Sequence, residues 1–261
     1  MKLVLKIGGA ALENSELVAK FCSTVSQLSK DGHQVLVVHG GGAALSRTLK
    51  QLGIESKFVD GLRVTDAKTR DAALMVLGGL LNKQLAAAIG ARGQSAVGIC
   101  GSDLQLCIAR KKRLSQDLGF VGEIVHVNAG TIEALWQQRT IAVVASLAAC
   151  EHGEFYNVNA DEMASAIAAA VPADALIFLT DVAGVKNAQG EVFSRLGVKE
   201  IDELKADGTI SGGMLPKLDA CKRALLGGVG SVRIVQAAQV SELTKLFEAP
   251  LECGTELVAH A

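Results

Sequence analysis

Aromatic residues are scarce in this chain of 261 residues: one tryptophan, one tyrosine and seven phenylalanines, 3 % in all. Stacking platforms for single-stranded nucleic acid are built from such rings, so their scarcity argues against that partner. Charge of one sign is missing too. Lys and Arg number 26 against 27 Asp and Glu, a formal net charge of −1. No general basic field invites nucleic acid, and no acidic tail is present. Proline occurs only at Pro172, Pro216 and Pro250, and no low-complexity linker or tandem repeat divides the chain. The six cysteines form no C-x-x-C pair and mostly sit in apolar or helical stretches, the pattern of free thiols in a reducing compartment. The most apolar stretch, Ile141 to Cys150, falls short of the ~20 residues that span a bilayer. A core-type run follows Met1 almost at once, with no leader pattern before it. The expectation is a soluble, cytoplasmic protein with neither nucleic acid nor membrane as partner.

Three familiar signatures are absent as well. There is no G-x-x-x-x-G-K-[ST], which excludes a P-loop enzyme. No G-x-G-x-x-G opens a helix; Gly228-Val229-Gly230 precedes a strand, the wrong context for a dinucleotide fold. The string His39-Gly40-Gly41-Gly42 would suit an esterase oxyanion hole, but that chemistry needs a G-x-S-x-G elbow. The nearest string, Gly93-Gln94-Ser95-Ala96-Val97-Gly98, has its second glycine one place too late.

Half of the residues are apolar (49 %) and 28 are glycine. Apolar runs at Leu3–Ile7, Val35–His39, Ser95–Cys100, Ile141–Ala145, Ala175–Thr180 and Ser231–Val235 read as strands. Between them, Ser15–Ser29, Ala43–Leu52, Asp66–Ile89, Val127–Gln138, Asp161–Ala170 and Met214–Leu226 show helical spacing. Such alternation predicts a mainly parallel sheet covered by helices, an α/β fold. Asp66 and Asp161 suit helix N-caps. The stretch Leu104–Val127, around Arg110-Lys111-Lys112-Arg113, reads as a hairpin. A soft division near residue 171 separates two lobes of one domain, 1–171 and 172–261.

The candidate site residues cluster where strands end. Lys6-Ile7-Gly8-Gly9 sets a cation and bare backbone N–H groups at the carboxyl end of a strand, where open α/β sheets bind ligands. Gly40-Gly41-Gly42 repeats the arrangement after the second strand, and together the two turns form a divided anion cradle. Arg63, in Gly61-Leu62-Arg63-Val64-Thr65-Asp66, offers a planar fork for a carboxylate; the plainer reading is a solvated arginine beside a cap. Asn157-Val158-Asn159-Ala160-Asp161 aims two amides to one side and puts a carboxylate at a helix start; here the alternative is a capping turn. Thr180-Asp181 ends a third apolar strand. In Gly212-Gly213-Met214-Leu215-Pro216-Lys217 a lysine sits where the helix dipole disfavours it, a cost that a bound polyanion would offset.

Taken in order, KIGGAAL at 6–12, HGGG at 39–42, GLRVTD at 61–66, LNK at 81–83, NVNAD at 157–161, LTDVAGV at 179–185, GGMLPK at 212–217 and GTEL at 254–257 resemble the amino acid kinase family over nearly the whole chain. The resemblance implies a three-layer αβα sandwich with a mainly parallel open sheet. It implies an amino-terminal lobe for an acyl amino acid and a carboxyl-terminal lobe for ATP with Mg2+, the metal being held by the nucleotide. The implied reaction moves the γ-phosphoryl group onto the γ-carboxylate of N-acetyl-L-glutamate, a step of arginine biosynthesis. Carried over residue by residue, Lys6 and Lys217 stabilise the transferring phosphoryl group and Asp161 organises both lysines. Gly8, Gly9, Gly41 and Gly42 cradle the phosphoryl group. Gly41, Gly42, Arg63, Asn157 and Asn159 bind the acceptor. Asp181, Val182, Ala183, Gly184, Val185 and Lys186, with Thr209, Ile210 and Ser211, bind the nucleotide. A homodimer is expected. The sequence departs from the family at AVVASLAAC (142–150), where relatives carry a proline and a glycine beside the acyl pocket. Two other functions on the same fold are a kinase for carrier-protein-bound 2-aminoadipate or glutamate and a non-catalytic amino acid or nucleotide sensor. The third glycine of HGGG, with GLRVTD, favours N-acetyl-L-glutamate over the first; two lysines and Asp161 argue against the second.

Overall fold

The computed structural model describes residues 1–210, 212–245 and 253–259. Its first half runs β1 (Lys2–Ile7), α1 (Ser15–Lys30), β2 (Gln34–His39), α2 (Gly42–Gln51), the small hairpin β3 (Phe58–Val59) and β4 (Leu62–Arg63), α3 (Ala67–Ala73), a π-helical segment (Leu74–Leu81), α4 (Asn82–Gly90), β5 (Ala96–Cys100), β6 (Cys107–Lys111) and β7 (Val121–Val127). The second half runs α5 (Ala129–Gln137), β8 (Ile141–Ala145), β9 (Leu147–Ala149), β10 (Phe155–Val158), α6 (Ala160–Ala170), β11 (Ala175–Thr180), β12 (Arg195–Gly197), α7 (Val198–Ala206), α8 (Met214–Leu226), β13 (Ser231–Gln236), a 3-10 stretch (Ala237–Lys245) and β14 (Thr255–Val258).

Eight strands make the main sheet, in the order β12-β14-β13-β11-β1-β2-β8-β5. Every neighbouring pair is parallel except β13 with β14. The strands read as unbroken apolar runs because both faces are covered. Successive residues point to opposite faces, and the two cores separate accordingly. Leu3, Leu5 and Ile7 of β1 pack with Phe21, Val25 and Leu28 of α1 and Leu85 and Ile89 of α4. Val4 packs in the other core, with Met163 and Ile167 of α6 and Leu218 of α8. Lys6 shares the parity of Val4, so β1 directs its side chain toward α6 and α8. The alternation of one apolar strand thus places the first functional group.

The hairpin expected at Leu104–Val127 is present as β6 antiparallel to β7, and β9 and β10 close it into a small barrel. Three sequence expectations change. The helix that starts beside Asp66 is not uniformly α-helical, since its middle, Leu74–Leu81, winds as a π-helix. At 24 residues, Ala67–Gly90 is also long and apolar enough to cross a bilayer, so Ile141–Cys150 is not the strongest such stretch. One side of it is core, with Ala72, Val76, Leu77, Leu85 and Ile89 buried, as in a packed helix of a globular fold. Asp161 is not an N-cap. Asn159 caps α6, its Oδ1 accepting from the N–H groups of Asp161 (2.9 Å) and Glu162 (3.1 Å). Asp66 does cap α3, accepting from the Thr69 N–H at 2.8 Å.

Candidate active site

Asn159 satisfies the first turn of α6, which leaves the Asp161 carboxylate free for another task. Its two oxygens take two different lysines. Lys6 Nζ lies 2.7 Å from Oδ1, and Lys217 Nζ, from the first turns of α8, donates to Oδ2 at 2.7 Å. Three residues remote in sequence meet because β1, α6 and α8 share one face of the sheet. All three side chains are at most 15 % exposed. Burial alone would raise the Asp161 pKa, but the two ammonium groups and their hydrogen bonds outweigh it and hold the carboxyl at about 2. Burial also pushes the Lys6 pKa down, opposed by Asp161 and reinforced by the neighbouring charge of Lys217. The cluster carries one more positive charge than negative, and it sits at the carboxyl end of the sheet. The Lys217 ammonium also lies 5.3 Å from the centre of the Phe178 ring, on β11.

A cavity of about 220 Å³ opens beside this cluster. Its wall includes Lys6, Gly8, Gly9, Gly41, Gly42, Arg63, Asn157, Asn159 and Asp161, so the structure gathers the expected acceptor-binding and phosphoryl-cradling residues. At Gly8 a Cβ would lie 2.9 Å from Lys6 Nζ, so glycine leaves room for the ammonium to fold over the backbone. Gly41 has φ +151°, and a Cβ there would lie 2.4 Å from Leu81 Cδ1 and 2.7 Å from Leu77 Cδ2. The π-helical segment therefore presses directly on the glycine turn. Helix α2 starts at this turn with no side-chain cap, and α8 likewise starts after Gly213 with none. Uncapped first turns leave N–H donors for an anion.

Arg63 is 7 % exposed. Its guanidinium donates to Ser56 Oγ (2.6 Å), Ser46 Oγ (2.7 Å) and the Gly42 carbonyl (3.0 Å), and lies 4.5 Å from the Phe58 ring centre. No carboxylate pairs with it among the described residues, and burial pushes its pKa down. It stays charged at neutral pH. A buried cation held only by neutral groups is costly, and a ligand carboxylate would offset that cost. Asn157 donates weakly to Thr65 Oγ1 at 3.3 Å and lines the same cavity.

The expected nucleotide segments also converge. Val182, Gly184, Val185 and Lys186 meet Thr209, Ile210 and Met214 around a second cavity of about 220 Å³. Ala183 lies between them in sequence. Asp181 follows β11, accepts from Thr180 Oγ1 at 3.0 Å and is close enough to act on the Lys6 charge. Ser211 lies outside the described residues.

Three residues at the site, His39, Asn82 and Ser146, were given no binding or catalytic role from the sequence. His39 is fully buried. Its Nδ1 donates to the Gly40 carbonyl at 2.7 Å, which leaves Nε2 to accept from Asn82 Nδ2 at 3.1 Å. Burial pushes its pKa to about 4, so it is neutral and serves as a strut for the turn. Asn82 Nδ2 also faces the carbonyls of Val143 (2.8 Å) and Ile99 (3.2 Å), and so ties β2, β8 and β5 together below the cavity. Its signal in the sequence was the string LNK at 81–83, which closes an apolar run. The third residue, Ser146, sits in the segment where the sequence departs from the family.

The model of the amino acid kinase family matches residues 1–236. This chain belongs to the amino acid kinase family. Within it, a protein of Koribacter versatilis named acetylglutamate kinase is 70 % identical over 99 % of both chains. One of the same name from Acidobacterium capsulatum is 55 % identical over 99 % of this chain and all of its own. Among solved structures, smu.665 from Streptococcus mutans superimposes with a TM-score of 0.82 at 29 % identity, covering 99 % of this chain and 98 % of that one. The mainly parallel sheet with helices on both faces is the fold of the family.

Proposed function

We propose that this chain uses ATP to phosphorylate the γ-carboxylate of N-acetyl-L-glutamate, giving N-acetyl-L-glutamyl 5-phosphate for arginine biosynthesis. The end-to-end identity of 70 % with a relative named acetylglutamate kinase carries the reading. The site supports it. The acceptor carboxylate, of reference pKa about 4.3, is already ionised at neutral pH, so no general base is needed. What remains is to align two anions and screen their repulsion. Lys6 and Lys217, with the N–H groups of Gly8, Gly9, Gly41 and Gly42, hold the transferring phosphoryl group. Arg63, Asn157 and Asn159 hold the acceptor, and Asp161 orients both lysines.

ATP enters with Mg2+ on its phosphates, which neutralises part of their charge. The uncapped start of α8 suits the phosphates. The cavity at Val182–Lys186 and Thr209–Ile210, with Asp181 and Ser211 in the same segments, would take the nucleotide. In this reading the two cavities flank the charge cluster, one per lobe, with the division near residue 171. A homodimer is part of the proposal. The helix Ala67–Gly90 leaves Met75 and Leu80 exposed at 60 % and 56 %, an apolar surface fitted to a second copy. The site of action is the cytoplasm.

A coupled ADP-release assay across N-acetylglutamate, N-acetylaminoadipate, glutamate, aspartate and carbamate tests the reaction, with the acyl phosphate trapped as its hydroxamate. N-acetylglutamate should dominate. Equal turnover of glutamate, aspartate or carbamate would overturn the assignment. Arg63→Ala should raise KM for the acceptor by about 10- to 100-fold, the worth of a charge-assisted hydrogen-bond pair. Arg63→Lys should recover only part of this, because the ammonium keeps the charge and loses the fork. A normal KM in Arg63→Ala contradicts the role.

A further inference from the structure

The acceptor cavity is rich in donors and poor in free acceptors. Lys6 and Arg63 donate only. Both Asp161 oxygens face the lysines, and Asn159 Oδ1 caps α6. Among the side chains lining the cavity, only Asn157 Oδ1 and Ser146 Oγ remain as uncommitted oxygens in the described residues. Ser146 is 3 % exposed. Its backbone is fixed on both sides, with its N–H donating to the His39 carbonyl (3.2 Å) and its carbonyl accepting from Val158 N–H (3.0 Å). Its hydroxyl makes no hydrogen bond among the described residues. Because Ser146 lines the cavity, its hydroxyl is open to water or a ligand there, and a ligand donor can take it in place of water.

Strand order tells which part of the ligand lies there. Ser146 follows β8, level with Gly40, because His39 pairs with Ala145. Strand β8 is two places from β1, which carries Lys6. Neighbouring strands are about 4.8 Å apart, so Ser146 stands about 10 Å across the sheet from the phosphoryl-handling strand. It therefore faces the non-reacting end of the acceptor. At that end Arg63 and the glycine N–H groups can meet oxygens, but they cannot meet an amide N–H.

We propose that Ser146 is a specificity-determining residue whose hydroxyl oxygen accepts the hydrogen bond of the substrate's acylamido N–H. This rests on the acceptor being an N-acyl amino acid, as proposed above. A test needs a pair of substrates that differ only at that N–H: N-acetyl-L-glutamate and (S)-2-acetoxyglutarate, whose ester oxygen replaces it. With Ser146→Ala, KM for N-acetylglutamate should rise about tenfold with kcat within about threefold. KM for the ester should stay within about twofold. The melting temperature should not fall, since the hydroxyl holds nothing within the protein.

Ser146→Cys keeps the approximate size with a poor acceptor, and should behave as the alanine variant does if that one folds badly. An unchanged KM for N-acetylglutamate overturns the proposal. So does an equal loss for amide and ester, which marks a role in cavity shape alone. If the unaltered protein fails to phosphorylate N-acetylglutamate, the functional reading fails instead, and the two failures are told apart by that control.

Discussion

Lys217→Ala should lower kcat by about two to four orders of magnitude at saturating substrates, and Lys6→Ala should do the same. The acceptor arrives ionised and the phosphoryl donor is anionic, so the barrier is dominated by repulsion and alignment. Two ammonium groups, each 2.7 Å from one oxygen of Asp161, are fixed before substrate arrives and need no reorganisation when charge shifts toward the acceptor. Removing either leaves a net neutral pair where the intact cluster carries one excess positive charge. KM values should move less than kcat, because the Arg63 side and the nucleotide cavity remain. Both lysines answer to one carboxylate, so the double variant should lose less than the sum of the two single losses. A single variant that retained a tenth of the kcat would refute the assignment of that lysine.

Much of this site was legible as strings, for a physical reason. A parallel sheet buried on both faces needs apolar strands, and its ligands gather where those strands end. Apolar runs closing on Lys6-Ile7-Gly8-Gly9, His39-Gly40-Gly41-Gly42 and Thr180-Asp181 thus announce both the sheet and its functional edge. The central strands fall where the runs predicted, to within a residue or two at either end. Elements that are short or bury little were silent. Helix α7 has one buried residue, Ile201, β12 and β14 are short strands at one end of the sheet, and β3 and β4 have two residues each. Other features depend on contacts that one-dimensional patterns do not contain. Asp161 and Asn159 stand two residues apart with similar capping chemistry. Only the meeting of β1 and α8 at that point shows that asparagine caps while aspartate bridges. Ser146 looks like one more small residue in a strand until the backbone bonds to His39 and Val158 turn it into the cavity wall. The pressure of Leu77 and Leu81 on Gly41 likewise depends on the π-helical winding.

Asp161→Asn should be among the most damaging single changes to both stability and activity. It removes the carboxylate that pairs with both buried ammonium groups, and breaking a buried ion pair by deleting one partner costs about 3–5 kcal/mol. Asparagine keeps the shape, so the loss reports charge rather than a cavity. The acid response supplies a sharper test. The folded-state pKa of about 2 lies below the ordinary 3.8, so the ionised carboxylate contributes stability that is fully present above the unfolded value. That contribution is lost as pH falls from about 4 toward 2. In urea unfolding, the gap between wild type and Asp161→Asn should be widest near neutral pH and narrow through that window. A gap independent of pH would mean that the carboxylate is not stabilised by the lysines. For activity the same variant should lower kcat more than either KM, because both ammonium groups lose their fixed position and Lys6 loses the charge that opposes the lowering of its pKa by burial. If kcat were retained, Lys6 and Lys217 would be ordered by the bound phosphates instead, and Asp161 would contribute to the fold alone.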